Sequence, residues 1–356
     1  MNAWSHALLD LLICAGLLVV MPLGLRLVEA PGIAWIRRWW LVCAAPAAAS
    51  VWLPRGWLAI LLAAAYLPAT TALLVTAASL LTATARTGSR PARTSPPART
   101  SPPASMARAG TDGTPRAAGG APGGSARVAG PLTPGLVAVV TALVAPTVAA
   151  VALVAERAGR ELFGFELDVL ALTVAHFHYA GFAAALIAGL VHRLAGAGAA
   201  GRLAALSVPV GVAVVFVGFF TGEWVELAGA AVLTAGMWLV GWVMWWAAGG
   251  RDRTTAVLLG GSALTLVATM SLALSWALGE AVGLPHLSLS WMVATHGLAN
   301  ALGFALCGLL AWRRLTAETD APNAGAGDIA AGTHNPNAGT DIAAGDAGTD
   351  HIGVSR

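Results

Sequence analysis

The sequence predicts an all-α protein, a polytopic transmembrane helix bundle of about nine spans with a disordered linker and a disordered tail. Of its 356 residues, 57% are hydrophobic and only 10% are charged, whereas soluble domains have about 25% charged residues. Apolar runs of about the 20 residues needed to cross a bilayer recur along the chain. We therefore expect the lipid bilayer to be its main partner.

Nine runs have the length and composition of spanning helices. The second is the weakest, because Pro46 interrupts it and Pro54 ends it. No arginine precedes the first run and no cleavage site follows it, so we expect a retained helix rather than a signal peptide. The runs are approximately 7–28, 37–53, 57–82, 134–155, 168–191, 203–220, 225–248, 255–278 and 291–312.

Two regions are predicted to lie outside the membrane domain. Residues 86–133 are rich in proline, glycine, serine and arginine, and residues 316–356 form an acidic, glycine- and alanine-rich tail. Neither can bury a core, so both are predicted to be disordered. They divide the chain into helices 1–3 (1–85) and helices 4–9 (134–315). The linker arginines favour a role in topology, and no nucleic-acid partner is expected.

The arginines also predict an orientation. Seven lie in the linker, and most of the others fall in loops on the same side of the membrane. Under the positive-inside rule, the linker and tail are cytoplasmic and the N-terminus is outside, in a bacterial plasma membrane. Tryptophans are expected to mark the two interfaces, with Trp224 and Trp291 outside and Trp245, Trp246 and Trp312 inside.

The fifth span contains the most informative polar residues, His176, His178 and Tyr179. Ionisable groups inside a membrane are costly, which favours a function for them. Residues two apart on a helix point about 200° apart, so the two imidazoles face different neighbours and a single metal ion cannot easily take both. The alternative is that each histidine bonds a carbonyl or hydroxyl of an adjacent helix and only locks the bundle.

A second polar pair lies in the ninth span. His296 and Asn300 are four residues apart and share a helix face, at a depth similar to that of His176. Glu223 and Glu226 flank Trp224 in a very short connection, three residues apart, and are predicted to lean over an outer vestibule. Our hypothesis is that one ligand- or proton-binding site opens to the outer face and is formed by His176, His178, Tyr179, His296, Asn300, Glu223 and Glu226.

The remaining polar residues are assigned structural or solvated roles. The cysteines fall in apolar segments without a CxxC pair, which favours buried structural thiols. Acids in the outer loops are usually solvated. The cysteines are Cys14, Cys43 and Cys307, and the acids expected to be solvated are Glu156, Glu161 and Glu280.

Three stretches resemble the YndJ family of bacterial membrane proteins: Glu161-Leu-Phe-Gly-Phe-Glu, His176-Phe-His-Tyr-Ala-Gly-Phe and Thr295-His-Gly-Leu-Ala-Asn-Ala-Leu-Gly-Phe. The resemblance covers about residues 160 to 230 and continues through 312, without the linker or the tail. It implies a polytopic bacterial membrane protein. The family has no established activity to carry over, although some members are labelled transporters.

A shorter stretch, Val174-Ala-His-Phe-His-Tyr, is similar to the helix of haem–copper oxidase subunit I whose two histidines ligate two haems on opposite faces. The chain lacks that family's adjacent His-His pair and its His-Pro-Glu-Val-Tyr-like segment, and it has too few spans. Oxygen reduction is therefore not expected. Haem or a divalent metal such as zinc, manganese or iron stays a possible cofactor, with His176, His178 and His296 as candidate ligands.

Three classes of function remain. The first is a transporter-like protein whose histidine site binds a small solute, a proton or a cation. The second is a haem- or metal-binding redox or sensor protein, and the third is a structural envelope protein without cargo. No catalytic residues are predicted and the protein is not expected to be an enzyme. The sequence leaves the cargo, its direction and the oligomeric state open.

Overall fold

The computed structural model describes residues 1–88, 132–196 and 198–318. These residues form long helices and no strand, with one isolated bridge between Leu162 and Phe165. The predicted all-α bundle is confirmed. The predicted linker and tail lie almost entirely outside the described residues.

Nine long helices make up the described part of the chain. The third has two segments, Trp57–Ala64 and Leu67–Gly88, separated by a turn at Tyr66. The helices are α1 (Ala3–Leu25), α2 (Ile33–Ser50), α3 (the two segments above, with Trp57–Arg86 as its candidate span), α4 (Pro134–Arg157), α5 (Leu167–Ala195), α6 (Ala199–Thr221), α7 (Glu223–Ala248), α8 (Arg253–Val282) and α9 (Leu289–Glu318).

Eight of these helices are long and apolar enough to cross a membrane, and α2 is the exception. It has 18 residues and carries two arginines near its start, yet it runs antiparallel to α1. The Trp40 indole donates to the Leu17 carbonyl at 2.9 Å, and the Cys14 thiol donates to the Ala48 carbonyl at 3.5 Å. Eighteen residues span about 27 Å, so α2 is nearly as long as the hydrocarbon core of a bilayer is thick, which is about 30 Å.

Successive helices alternate in direction, so that their ends gather at two faces. The Met1 face holds the start of α1 and the start of α5, where the Met1 amino group lies 3.1 Å from the Asp168 carboxylate. The linker face holds the opposite ends, including the start of α8 and the end of α9. There the Arg314 guanidinium donates to the Asp252 carboxylate at 3.1 Å.

Asp252 also caps α8 at the linker face. Its carboxylate accepts hydrogen bonds from the backbone amides of Thr254 at 3.0 Å and Thr255 at 3.3 Å, two of the amides that lack partners at a helix start. Hydrogen bonding from Thr255 is the largest cause that lowers the pKa of Asp252 to about 2.

A buried ion group closes part of the Met1 face. Glu156 is only 2% exposed and pairs with two guanidiniums, those of Arg157 and, at 2.8 Å, Arg55. The Arg157 guanidinium also donates to carbonyls at the end of α2, where helices leave carbonyls without partners. These are the carbonyls of Ser50 (3.2 Å), Val51 (3.1 Å) and Leu53 (3.3 Å).

The prediction that Glu156 is a solvated loop acid is therefore wrong. The fourth span was expected to end at residue 155, but α4 continues to Arg157. Glu156 thus lies in the last helical turn and faces the bundle, where two arginines neutralise it. Glu280 fits the expectation better, since it is 40% exposed and bonds the half-buried ring of His286 at 2.8 Å.

Four of the five tryptophans predicted to mark the membrane interfaces are exposed, and their place at an interface stays a prediction. Trp224, Trp291, Trp245 and Trp246 are between 50% and 66% exposed on the outside of the bundle. Trp312, predicted to mark the interface at the linker face, is 6% exposed. The prediction that Trp312 anchors an interface is wrong, because its indole faces the interior of the bundle.

Helix α5 is the centre of the bundle. In its most apolar window 83% of residues are buried, against 33–50% for the other spanning helices. It packs along α4 and also contacts α1 and α9. The polar residues of α5 therefore face protein on several sides, and each needs a partner from a neighbouring helix.

Candidate functional site

Two polar clusters lie on different sides of α5. We define the inner cluster as His178, Tyr66 and Trp40, and the cleft cluster as His176, His296, Asn300 and Thr269. The spacing of two residues between His176 and His178 produces this separation, as the helical rotation predicts. The structure therefore brings His176 and His296 together and places His178 elsewhere.

The inner cluster is fully buried. The His178 ring is 0% exposed, and its Nδ1 lies 2.7 Å from the Val174 carbonyl oxygen. A carbonyl only accepts, so Nδ1 carries the proton and Nε2 accepts from the Tyr66 hydroxyl at 3.0 Å. The rings of Tyr66 and His178 stack at 5.8 Å, and Trp40 meets Tyr66 edge-on at 5.5 Å.

A glycine in α1 makes room for the His178 ring. A Cβ at Gly16 would lie 2.9 Å from the His178 Cβ, which is closer than side chains approach. The adjacent residue on α5, Tyr179, ties the same two helices together, because its hydroxyl donates to the Leu12 carbonyl at 2.8 Å. Both nitrogens of His178 are thus in use, and the inner cluster braces α1, α2, α3 and α5.

The cleft cluster joins α5, α8 and α9. The His296 Nδ1 donates to the Thr269 carbonyl at 2.8 Å, and its Nε2 accepts from the Asn300 amide nitrogen at 3.1 Å. The amide oxygen of Asn300 lies 3.0 Å from the Thr269 hydroxyl. These bonds fix a neutral tautomer of His296 and its ring orientation. The His176 ring lies parallel to it, with centroids 6.5 Å apart.

His176 differs from His178 and His296, the other histidines of the two clusters, because no hydrogen bond to it is present among the described residues. Its side chain is exposed, although α5 is the most buried of the spanning helices. The imidazole of His176 is therefore accessible within an otherwise buried span. His176 is nine residues past the start of α5, or about 13 Å in from the Met1 face.

Both clusters coincide with π-helical turns. Such turns are rare and often mark functional sites. One contains His178 and Tyr179, one contains His296, one begins at Asn300, and one in α1 contains Gly16. They are Gly16–Val20, Phe177–Ala184, Val293–Gly297 and Asn300–Leu306.

The predicted outer acids lie at the start of α7. Glu223 is exposed, and Glu226 is half-buried beside Gly218. In the described part of the chain no hydrogen bond or ion pair links either carboxylate to the histidines. Their membership of one site with His176 and His296 stays a prediction.

Two polar residues of the clusters were missed by the sequence analysis, Tyr66 and Thr269. Tyr66 carried a signal, because it is one of only two tyrosines in the chain and lies within an apolar run. Thr269 carried no such signal. One of its two contacts is made by its backbone carbonyl, which every residue has. Asp10 was also missed. It is a carboxylate within the first span that faces the Glu156–Arg157 ion group.

The residues present fit neither candidate cofactor well. In residues 1–88, 132–196 and 198–318, no three His, Cys, Asp or Glu side chains are grouped to hold a metal ion. A haem ligated by His178 or His296 would displace a hydrogen bond from a ring whose two nitrogens are both bonded. Of the three candidate histidine ligands, only His176 has nitrogens that no described group bonds.

A sequence model of the YndJ-like protein family matches residues 11–304. This range begins in α1 and ends in α9, so it reaches further towards the N-terminus than the motifs that suggested the resemblance. No curated protein matches the chain, and no solved structure matches it. Since the match extends over much more than half of the sequence and includes both histidine stretches, the chain belongs to the YndJ-like family.

Proposed function

We propose that this multi-pass membrane protein is transporter-like, and that His176 and His296 form a site where a proton or small cation is bound and coupled to the passage of a small solute. The observation that carries the proposal is the exposed imidazole of His176, deep in the bundle and parallel to a second imidazole at 6.5 Å. Leaving such a group without a partner in a membrane is costly, which favours a bound species there.

The two histidines have different parts in this proposal. His296 is held by the Thr269 carbonyl and the Asn300 amide, so it provides a fixed wall. No described residue bonds the nitrogens of His176, so this imidazole accepts the proton or cation from the cleft. A positive charge on His176 would oppose protonation of His296, whose ring centroid lies 6.5 Å away, because like charges repel more strongly where water is scarce. We propose binding and passage rather than catalysis.

Proton flux into vesicles tests this function. Liposomes that contain the purified protein and a trapped pH-sensitive dye are expected to dissipate an imposed pH gradient faster than protein-free vesicles. His176→Ala is expected to reduce the rate to the protein-free level, because the open imidazole is lost. The matched control is His286→Ala, which removes an imidazole bonded to Glu280 in a loop and should preserve the flux.

Two results would contradict the proposal. Wild-type vesicles that are no faster than empty ones would favour a structural protein without cargo. A His176→Ala rate equal to that of the wild type would show that flux does not pass through this site.

We further propose that the Met1 face is outside and the linker face is cytoplasmic, in a plasma membrane. The support is the excess of arginines at the linker face, which the positive-inside rule places in the cytoplasm. Cysteines are to be introduced at exposed positions on each face, Thr221→Cys at the Met1 face and Thr254→Cys at the linker face. The background lacks Cys14, Cys43 and Cys307.

An impermeant thiol reagent added to intact cells is expected to label the Thr221→Cys variant only. Lysed cells supply the control, since both variants should then react. Labelling of Thr254→Cys alone in intact cells would reverse the orientation.

A further inference from the structure

An apolar groove lies on the outer surface between α2 and α3. Its volume is about 940 Å³. One wall is the start of α2, with Trp35 and Ile36, and the other is a face of α3 that runs from Leu67 to Ser79. We call it the α2–α3 groove. It lies apart from both histidine clusters.

The groove walls suit hydrocarbon. Trp35 and Val75 are 61% and 63% exposed, so the groove is open towards the lipid. The Thr76 hydroxyl donates to the Ala72 carbonyl at 2.8 Å, and the Ser79 hydroxyl donates to the Thr76 carbonyl at 2.7 Å. Because their own helix takes up both donors, these walls offer mainly apolar contact to an occupant.

The groove has the length of one lipid leaflet. Twelve residues separate Leu67 from Ser79, which is about 18 Å along a helix. Half of a bilayer's hydrocarbon core is about 15 Å. The groove begins near the middle of the bundle, at the turn in α3, and runs towards the linker face. An acyl chain from the leaflet on that side therefore matches the groove in length.

A cation lies beyond the linker-side end of the groove. Arg86 is exposed in the last turn of α3. It follows Ser79 by seven residues, so it shares that helix face about 10 Å further on. A guanidinium matches the geometry of a phosphate oxygen pair. The linker-side end of the groove is also open at Gly32, just before α2, because a Cβ on Gly32 would meet no atom within 4 Å.

We propose that the α2–α3 groove binds one anionic phospholipid from the leaflet at the linker face, with an acyl chain along α3 and the headgroup phosphate at Arg86. Three features of the groove support this ligand. Its walls are apolar, its length matches one leaflet, and a cation lies at the end where the headgroup would be. The lipid would fill the space between two helices that also hold the inner cluster.

Lipid retention tests the proposal. The full chain is reconstituted in vesicles of phosphatidylethanolamine and phosphatidylglycerol in equal parts, extracted in mild detergent and examined by native mass spectrometry. The wild type is expected to retain one phosphatidylglycerol. Thr71→Trp places an indole in the groove from an exposed position and should abolish retention. Leu74→Trp is the control, since Leu74 is exposed on the same helix outside the groove.

The headgroup is tested separately. Arg86→Gln should remove the preference for phosphatidylglycerol over phosphatidylethanolamine, whereas Arg202→Gln, an exposed arginine at the start of α6, should preserve it. The proposal is overturned if the wild type retains no lipid, if Thr71→Trp retains as much as Leu74→Trp, or if both arginine variants change the preference equally. A wild-type dimer that Thr71→Trp converts to a monomer would also overturn it, in favour of a second copy in the groove.

Discussion

Replacing Arg157 by alanine is expected to destabilise the bundle more than any other single exchange at the Met1 face. The change leaves the Glu156 carboxylate 2% exposed with only the half-exposed Arg55 as a partner, and it removes the donor to three carbonyls of α2 and the segment after it. Breaking a buried ion pair by removing one partner costs about 3–5 kcal/mol. We expect a large fall in the thermal unfolding temperature of the detergent-purified protein.

The neighbouring arginine provides the control. Arg160 is exposed just after α4, so Arg160→Ala should change the unfolding temperature little. Glu156→Gln added to Arg157→Ala should recover part of the loss, because no uncompensated charge is then buried. Equal unfolding temperatures for Arg157→Ala and Arg160→Ala would contradict the role assigned to the ion group.

The case of Glu156 shows where sequence reasoning reached its limit. The apolar run of the fourth span predicted a helix to about residue 155, and the helix ends at Arg157. Ends of helices are commonly misplaced by two residues. Here those two residues decide whether a carboxylate lies in a loop or in a helical turn between two arginines, so a small error in a boundary reversed the assignment.

The histidines show what the sequence did specify. The helical rotation between His176 and His178 predicted two different neighbours, and the depth of His296 predicted that it lies near His176. Both predictions follow from the rotation per residue of a regular helix and from the direction in which the fifth and ninth spans run. The partner of His178 did not follow, because Tyr66 reaches it from the turn in α3 through the tertiary arrangement of the helices, which no local pattern encodes.

The π-helical turns were also beyond the reach of periodicity. Each inserts a residue into an otherwise regular helix, and the hydropathy of the span is unchanged by it. At Phe177–Ala184 the turn begins next to His176 and contains His178. The regular helical rotation therefore indicated different neighbours for the two histidines without giving the final direction of the rings.

Replacing His178 by alanine is expected to lower stability strongly while sparing the cleft cluster. The exchange opens a cavity at a fully buried position and leaves the Tyr66 hydroxyl without its acceptor. A buried ring cut to alanine costs about 3 kcal/mol, and an unpaired buried hydroxyl adds to this. Tyr66→Phe removes the hydrogen bond alone and should cost about 1 kcal/mol, as for bonds between membrane helices.

His176→Ala is the matched control for this last prediction. It removes an imidazole from the same helix two residues away, but one that is exposed and has no hydrogen-bond partner among the described residues. Its thermal unfolding temperature should stay close to that of the wild type even though proton flux is lost. The two measurements thus separate bracing from binding. If His176→Ala destabilised the protein as much as His178→Ala, both histidines would be braces and the cleft site would lose its support.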